Sequence, residues 1–351
     1  MSEDKLHKKP TISVVCATYN RAQMVRETVL AAWNQTLRPD EIVVSDDCSP
    51  DNTLEVLREL QKEVPILKIV ESSKNSGGVP NWNQVIEASS GDIIAWCSDD
   101  DRFKEDHLEK AVRYLLEHED VGLVHAGFEE VREAEDGTQH VQYTSLKSVE
   151  PIIITRKNII EYMARHFSWY FHPSTLVFRR TLWNNTGIFN SKYALADTDW
   201  FIRAAMHHRL VYLPYFGVIN RRHYSNTGNW SIRVGSVNMQ REFYEAIYSF
   251  ADEARKLLDT SSKLDQQVSR WTQRYRLLIL RIFIARCRAG NYLVATDCAR
   301  EMTRVTPLLL KIPSWLSSPF LRGVYFLLSR LQIILPGGRK KYSNLGKHVP
   351  L

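Results

Sequence analysis

Three short polar runs hold the residues of this chain best suited to chemistry: Ala17-Thr18-Tyr19-Asn20-Arg21, Asp46-Asp47-Cys48-Ser49-Pro50-Asp51-Asn52 and Ser98-Asp99-Asp100-Asp101. Each follows an apolar, β-branched run. Singly, each has an ordinary explanation. Asn20 suits a helix N-cap, and Asp51 and Asn52 suit a turn that leads into a helix. Together they crowd Asp46, Asp47, Asp99, Asp100 and Asp101 into a set that packing does not require. Carboxylates held close together repel one another. A hard divalent cation such as Mn2+ or Mg2+ relieves that repulsion and prefers carboxylate oxygen. A diphosphate needs such a cation to approach an acidic site. The Asp99 to Asp101 run therefore suits a metal platform under a nucleotide diphosphate. Asp47 is suited to accept a hydrogen bond from the base, and Tyr19 to stack on it.

The elements that must position these runs alternate. Strands are expected at residues 12–16, 41–45, 66–70 and 92–97, and helices at 21–35, 52–62, 81–88 and 105–118. The helices show apolar side chains at helical spacing, for example Leu108, Val112, Leu115 and Leu116. Strands spaced by helices of this length form βαβ units and a mostly parallel sheet, and such sheets bind ligands beyond the carboxyl ends of their strands. The three polar runs follow strands. Further on the pattern loosens: an acidic turn or hairpin at 129–137, strand then helix over 152–166, a strand at 174–178, a helix at 197–207 and a strand at 211–219. After about residue 235 strand signals stop and long helical patterns begin, at 239–258 and 264–288. The expected organisation is a catalytic α/β domain over residues 10–235 and a helical region over 236–351.

Composition narrows the class. The chain has 351 residues, 44% of them hydrophobic and 25% charged, the balance of a globular protein with a sizeable core. Its net charge is +6, with the basic residues scattered except in the tail, which argues against nucleic acid as a partner. The cysteines are Cys16, Cys48, Cys97, Cys287 and Cys298, with no CxxC spacing, as expected in a reducing compartment without structural zinc. The polar N-terminus lacks the apolar segment of a secretory signal, and no uninterrupted apolar run is long enough for a bilayer. A cytoplasmic protein is expected. No glycine-rich phosphate loop with a lysine follows the first strand, which disfavours a nucleotidyltransferase, and no GxGxxG is present, which disfavours a dehydrogenase.

The blocks Ile12 to Arg21, Val43 to Asp51, Asn75-Ser76-Gly77-Gly78, Asn83, Gly91-Asp92 and Ser98 to Asp101 resemble family 2 glycosyltransferases, in that family's order and spacing, over roughly residues 10–230. The resemblance implies the GT-A fold, a Rossmann-like, mostly parallel sheet flanked by helices. It also implies a nucleotide-diphospho-sugar donor, inversion at the anomeric carbon, and a Mn2+ or Mg2+ ion. Donor contacts would come from Thr18, Tyr19, Asn20, Arg21, Asp46, Asp47, Asn75 and Asp99, with Tyr19 and Asp47 reading the base. Asp100 would be the principal metal ligand. Many members open this motif with aspartate, where this chain has Ser98. Whether Asp99 or Asp101 joins Asp100 on the metal therefore stays open.

Ala196-Asp197-Thr198-Asp199-Trp200 resembles the family's acceptor block, whose aspartate is the catalytic base. Ala196 replaces the usual glutamate, and Asp197 takes the base position. Acids in the first turn of a helix are also favoured by the helix dipole alone. Asp199 would point aside and pair with Arg203, four residues on. The segment Asn220 to Asn226 resembles the family's Arg-x-His element, so Arg222 and His223 would contact phosphate, and His223 also the metal, together with Asp100 and Asp101. His172-Pro173-Ser174 matches a family position too. A non-catalytic sugar-nucleotide binder is the alternative, and the retained Asp197 argues against it. Finally, residues 319–341 are apolar with flanking arginines and lysines. They suit either a helix packed on the catalytic domain or an interfacial helix that brings the enzyme to a lipid-linked acceptor at the cytoplasmic face of the inner membrane.

Overall fold

The computed structural model describes residues 9–133, 139–165, 171–192 and 196–222, with Gln266 and Ser269. The chain divides into two compact units, 1–227 with 249–261, and 228–248 with 262–351. All the elements below belong to the first. The helical patterns expected after residue 235, the apolar segment at 319–341 and His223 lie outside the described residues.

The strands are β1 (Ile12–Thr18), β2 (Glu41–Asp46), β3 (Leu67–Glu71), β4 (Ile93–Trp96), β5 (Arg102–Phe103), β6 (Val121–Glu133), β7 (Gln139–Ser145), β8 (Ile152–Ile154), β9 (Val177–Arg179) and β10 (Arg209–Arg222). The helices are α1 (Ala22–Trp33), α2 (Thr53–Glu63), α3 (Gly78–Glu87), α4 (His107–Glu117), α5 (Ile159–Arg165), α6 (Arg180–Thr186) and α7 (Ala196–His207). They build one sheet in the order β3-β2-β1-β4-β9-β6-β10-β5, with β7 beside β6 and β8 beside β10.

The β3-β2-β1-β4 half is parallel, as the alternation of strand and helix predicts. Strands covered on both faces read as apolar runs, and Val14, Val15, Ile42, Val43, Val44, Ile93 and Ile94 are all buried. Helices α1, α2 and α4 turn Val25, Val29, Leu57, Leu60, Leu108 and Leu115 into the same core. Truncating one such leucine to alanine costs about 2–5 kcal/mol. Cys16 and Cys97 are free and buried, acting as small core residues. Gly91 is required by a close approach: an added Cβ would sit 2.6 Å from the Ser13 backbone nitrogen.

The second half is mixed. β9 runs antiparallel to both β4 and β6, while β10 runs parallel to β6. β6 and β7 form the hairpin expected around the acidic stretch. Three elements have no counterpart in the sequence reading. The first turns of β6 carry a buried Val121-Gly122-Leu123-Val124 run. The two-residue β5 exists only through its pairing with β10. The strand expected at 174–178 splits, because Pro173–Thr175 forms a 3-10 turn before β9. Proline at the first position of that turn has no N–H to give a strand partner.

Candidate active site

The polar runs after β1, β2 and β4 converge, as parallel sheet topology dictates. Asn81 on α3 ties two of these strand ends together, donating from Nδ2 to Thr18 O at 3.2 Å and Ser45 O at 3.1 Å. The Asp47 backbone N–H also donates to Thr18 O at 3.0 Å.

The β1 loop turns at Asn20, in the left-handed region at φ 56°, where asparagine is tolerated. Its N–H donates to Ser49 Oγ at 2.8 Å. Ser49 is held in turn by Asp46, which accepts from the Ser49 N–H at 3.0 Å and from its hydroxyl. Tyr19 stands exposed at the rim. Asp47 is buried, and its carboxylate accepts from the Ser76 N–H, the Ser76 hydroxyl and the Gly77 N–H, each at 2.8 Å. Asn75 caps the same turn, accepting from Gly77 N–H at 3.0 Å. Gly77 has φ 89°, which favours glycine. Asp47 thus anchors the loop that begins α3.

The aspartate run after β4 splits by environment. Asp99 accepts from Thr18 Oγ1 at 2.9 Å and from the Tyr19 N–H at 3.4 Å. Asp100 pairs with Arg21 at 3.1 Å. Asp101 is buried, facing the turn at Pro173–Thr175 and the end of β10. Burial and the neighbouring Asp100 charge push the carboxyls of both Asp99 and Asp101 above the usual range. Arg222 at the end of β10 pairs with Glu130 at 2.8 Å.

These residues meet the chemistry of a divalent cation. Asp99 and Asp100 are oxygen donors carrying closely spaced negative charge. Among the described residues, no three His, Cys, Asp or Glu side chains form a ready-made metal cage. That is the pattern of a Mg2+-type site, where one or two carboxylates hold the ion and substrate phosphates complete its shell.

Asp197 lies on a separate element, in the first turn of α7, and accepts from the Thr198 N–H at 2.7 Å. Burial pushes its carboxyl up to about 6. The loop before α7 is fixed firmly. Trp200 Nε1 donates to Gly187 O at 2.9 Å. Asn83 on α3 exchanges two hydrogen bonds with the Phe189 main chain, both 2.9 Å. Phe189 also packs edge-on against Trp82 and Trp96. The loop that leads to Asp197 is therefore bonded to the helix that Asp47 anchors.

Sequence reasoning did not find Thr28, Ser174 or Asn220 as partners of the aspartate turn. Thr28 Oγ1 donates to Asp99 O at 3.1 Å and Asp101 O at 2.7 Å. Such contacts span distant elements and leave no local spacing to read.

The profile of glycosyl transferase family 2 matches residues 13–183. The uncharacterized glycosyltransferase YwdF of Bacillus subtilis (strain 168) is 32% identical over 215 residues, covering 59% of this chain and 73% of that protein. The GalNAc(5)-diNAcBac-PP-undecaprenol beta-1,3-glucosyltransferase of Campylobacter jejuni is 26% identical over 192 residues, covering 54% of this chain and 59% of that one. Among solved structures, S. aureus TarS 1-349 in complex with UDP superposes with a TM-score of 0.56 at 19% identity, covering 92% of this chain and 82% of TarS. The chain belongs to glycosyl transferase family 2, and its fold is GT-A. It is a glycosyltransferase.

Proposed function

We propose that the enzyme moves a sugar from a nucleotide-diphospho-sugar to a hydroxyl of a glycan or lipid-linked acceptor, with inversion, in the synthesis of a cell-surface polysaccharide. The observation that carries this reading is the convergence of Thr18 to Arg21 with Asp99 and Asp100, an acidic pair with excess negative charge beside a rim tyrosine. Asp100 is the principal ligand for Mn2+ or Mg2+, and Asp99 is the more accessible of its two neighbours. The bound cation would offset the charge on the leaving diphosphate. Arg21 sits beside that charge, and Arg222, with His223, is the further candidate for phosphate contact.

Tyr19 and the Asp46 to Ser49 turn hold the base and ribose, which orients the anomeric carbon. Asp197 takes the proton from the acceptor hydroxyl. That oxygen then attacks the anomeric carbon from the face opposite the diphosphate. A carboxyl lifted to about 6 is ionised at neutral pH yet basic enough for this step.

A UDP- or dTDP-sugar is the first choice of donor, because the N–H of uracil or thymine suits a carboxylate, and GDP offers similar donors. TarS, of the same fold, has been solved with UDP. The lipid-linked acceptor takes support from the name of the Campylobacter relative. Such an acceptor would place the protein in the cytoplasm, peripheral to the inner membrane. Among the described residues no helix is long and apolar enough to cross a membrane. The test is a thermal-shift screen of nucleotide diphosphates and nucleotide sugars with and without Mn2+, followed by transfer with the best donor. Ligands that bind the native state raise its melting temperature. A preference for adenine or cytosine nucleotides, or donor binding without any transfer or hydrolysis, would overturn the reading.

A further inference from the structure

We propose that Asp101 is a positioning residue rather than a metal ligand, fastening the metal-facing turn to the strand end that carries Arg222. The inference rests on the glycosyltransferase reading above. Asp101 is 1% exposed, whereas Asp99 and Asp100 on the same turn are only partly covered. Its carboxylate is already occupied. The Ser174 hydroxyl donates to Oδ2. Asn220 Nδ2 donates to Oδ1 at 3.0 Å, and the Arg221 N–H donates to the same oxygen at 3.3 Å. His172 Nδ1 lies 3.7 Å from Oδ2. A carboxylate offers roughly four acceptor directions, and these groups arrive from two separate elements to fill them.

The histidine belongs to the same arrangement. Burial holds it neutral, with its titration brought down to about 4. Its Nε2 accepts from Asn220 Nδ2 at 3.1 Å, which leaves the ring proton on Nδ1, the side that faces Asp101.

The knot closes through α1. Thr28 holds the Asp101 carbonyl at 2.7 Å, and Glu27, one residue earlier, pairs with the buried Arg221 side chain. Residue 101 therefore joins α1, the aspartate turn, the Pro173–Thr175 turn and the end of β10. Asp100 precedes it directly, and Arg222 follows the segment it holds. A cation entering the Asp101 carboxylate would have to displace Ser174, Asn220 and a backbone N–H. What Asp101 fixes is the spacing between the metal-binding carboxylate and the basic strand end that face one diphosphate. Misplacement of such groups by about 1 Å can cost 10²-fold in rate.

The test compares Asp101→Asn, Ser174→Ala, their double variant and Asp100→Asn with wild type. It reads the Mn2+ concentration for half-maximal UDP binding, the donor KM and kcat. The expected result is a kcat loss of about 10–10²-fold in both Asp101→Asn and Ser174→Ala. Their Mn2+ half-saturation and donor KM should stay within about threefold of wild type, and the double variant should be no worse than Asp101→Asn, because the two residues act as one unit. Asp100→Asn should raise the Mn2+ requirement more than about tenfold. The proposal is overturned if Asp101→Asn raises that requirement as Asp100→Asn does while Ser174→Ala does not. It is also overturned if Ser174→Ala and Asn220→Ser both turn over like wild type, a comparison that survives even if Asp101→Asn does not fold. If wild-type UDP binding ignores Mn2+, the donor reading fails instead. The latch is then judged by whether the melting-temperature losses of Asp101→Asn and Ser174→Ala are non-additive, and additive losses would overturn it.

Discussion

Asp199 pairs with Arg203 one helical turn further on, at 2.9 Å, while Asp197, two residues earlier, bonds only locally to the Thr198 N–H. Residues two apart on a helix face different ways. Arg203 also reaches the carbonyls of Thr186 and Ile188, so Asp199 serves the loop that seats α7. Asp197→Asn should therefore keep donor binding and lose transfer by a factor of about 10² or more. Asp199→Asn should lower the melting temperature and leave kcat within a few fold. Steady-state kinetics with thermal melts on both variants check this, and equal loss of turnover in both would move the base elsewhere.

The same carboxyl sets a pH dependence. Asp197 is lifted to about 6 by burial, so it holds its proton more tightly folded than unfolded. Its contribution favours folding below the ordinary aspartate range and disappears as pH rises through about 6. Two outcomes follow. The kcat of wild type should rise through pH 6 as the base ionises. The melting temperature of Asp197→Asn relative to wild type should also climb between pH 4 and pH 7, because the amide carries no charge to desolvate. A flat difference across that range would show that the carboxyl is not perturbed.

Asp100→Ala should abolish the Mn2+-dependent part of nucleotide binding and leave the fold intact, since the side chain is at the edge of the site and its ion pair with Arg21 is local. The check is a nucleotide titration by thermal shift with and without Mn2+. Affinity equal to wild type in Mn2+ would remove Asp100 from the metal.

Asp47 should act on the donor through the loop it holds. Asp47→Ala strips acceptors from the Ser76 and Gly77 N–H groups, a loss of about 1–3 kcal/mol where such groups stay unpaired and less where water reaches them. The expected signature is a lower melting temperature together with a raised donor KM. An unchanged KM would limit Asp47 to a structural role.

Residues 319–351 supply an apolar segment followed by Arg339, Lys340 and Lys341. If they bring the enzyme to a lipid-linked acceptor, the intact protein should float with anionic vesicles and a version ending at residue 318 should not. Failure of the intact protein to float rejects the membrane contact.

Much of the donor half could be read from the chain, because its physics is local. Val14 and Val43 sit in apolar runs, and Leu57 and Leu60 repeat at helical spacing, so strand and helix were distinguishable. The polar runs then fall at strand ends by topology alone. The pairing of Asp199 with Arg203 was legible for the same reason, being four residues apart on one helix. The acceptor half was harder. β5 forms only because Val218 and Ile219 arrive from more than a hundred residues away. Asn220 reads as the start of a basic run, yet in the fold it bonds to Asp101, a contact that no local pattern encodes.

Asn83 presents to Phe189 one donor and one acceptor in a single plane, and so it imitates a peptide unit. An amide on a short stem is the only chemistry that satisfies both ends. Aspartate would set two acceptors against a carbonyl, leucine would supply neither group, and glutamine would reach one methylene too far. The helix that starts at the donor loop and the segment that leads into the acceptor helix are thus spliced by a borrowed piece of backbone. Insertions or deletions between residues 77 and 83, or between 189 and 197, would change the relation of the two substrates. Loop length in those two stretches is therefore constrained by catalysis as well as by folding.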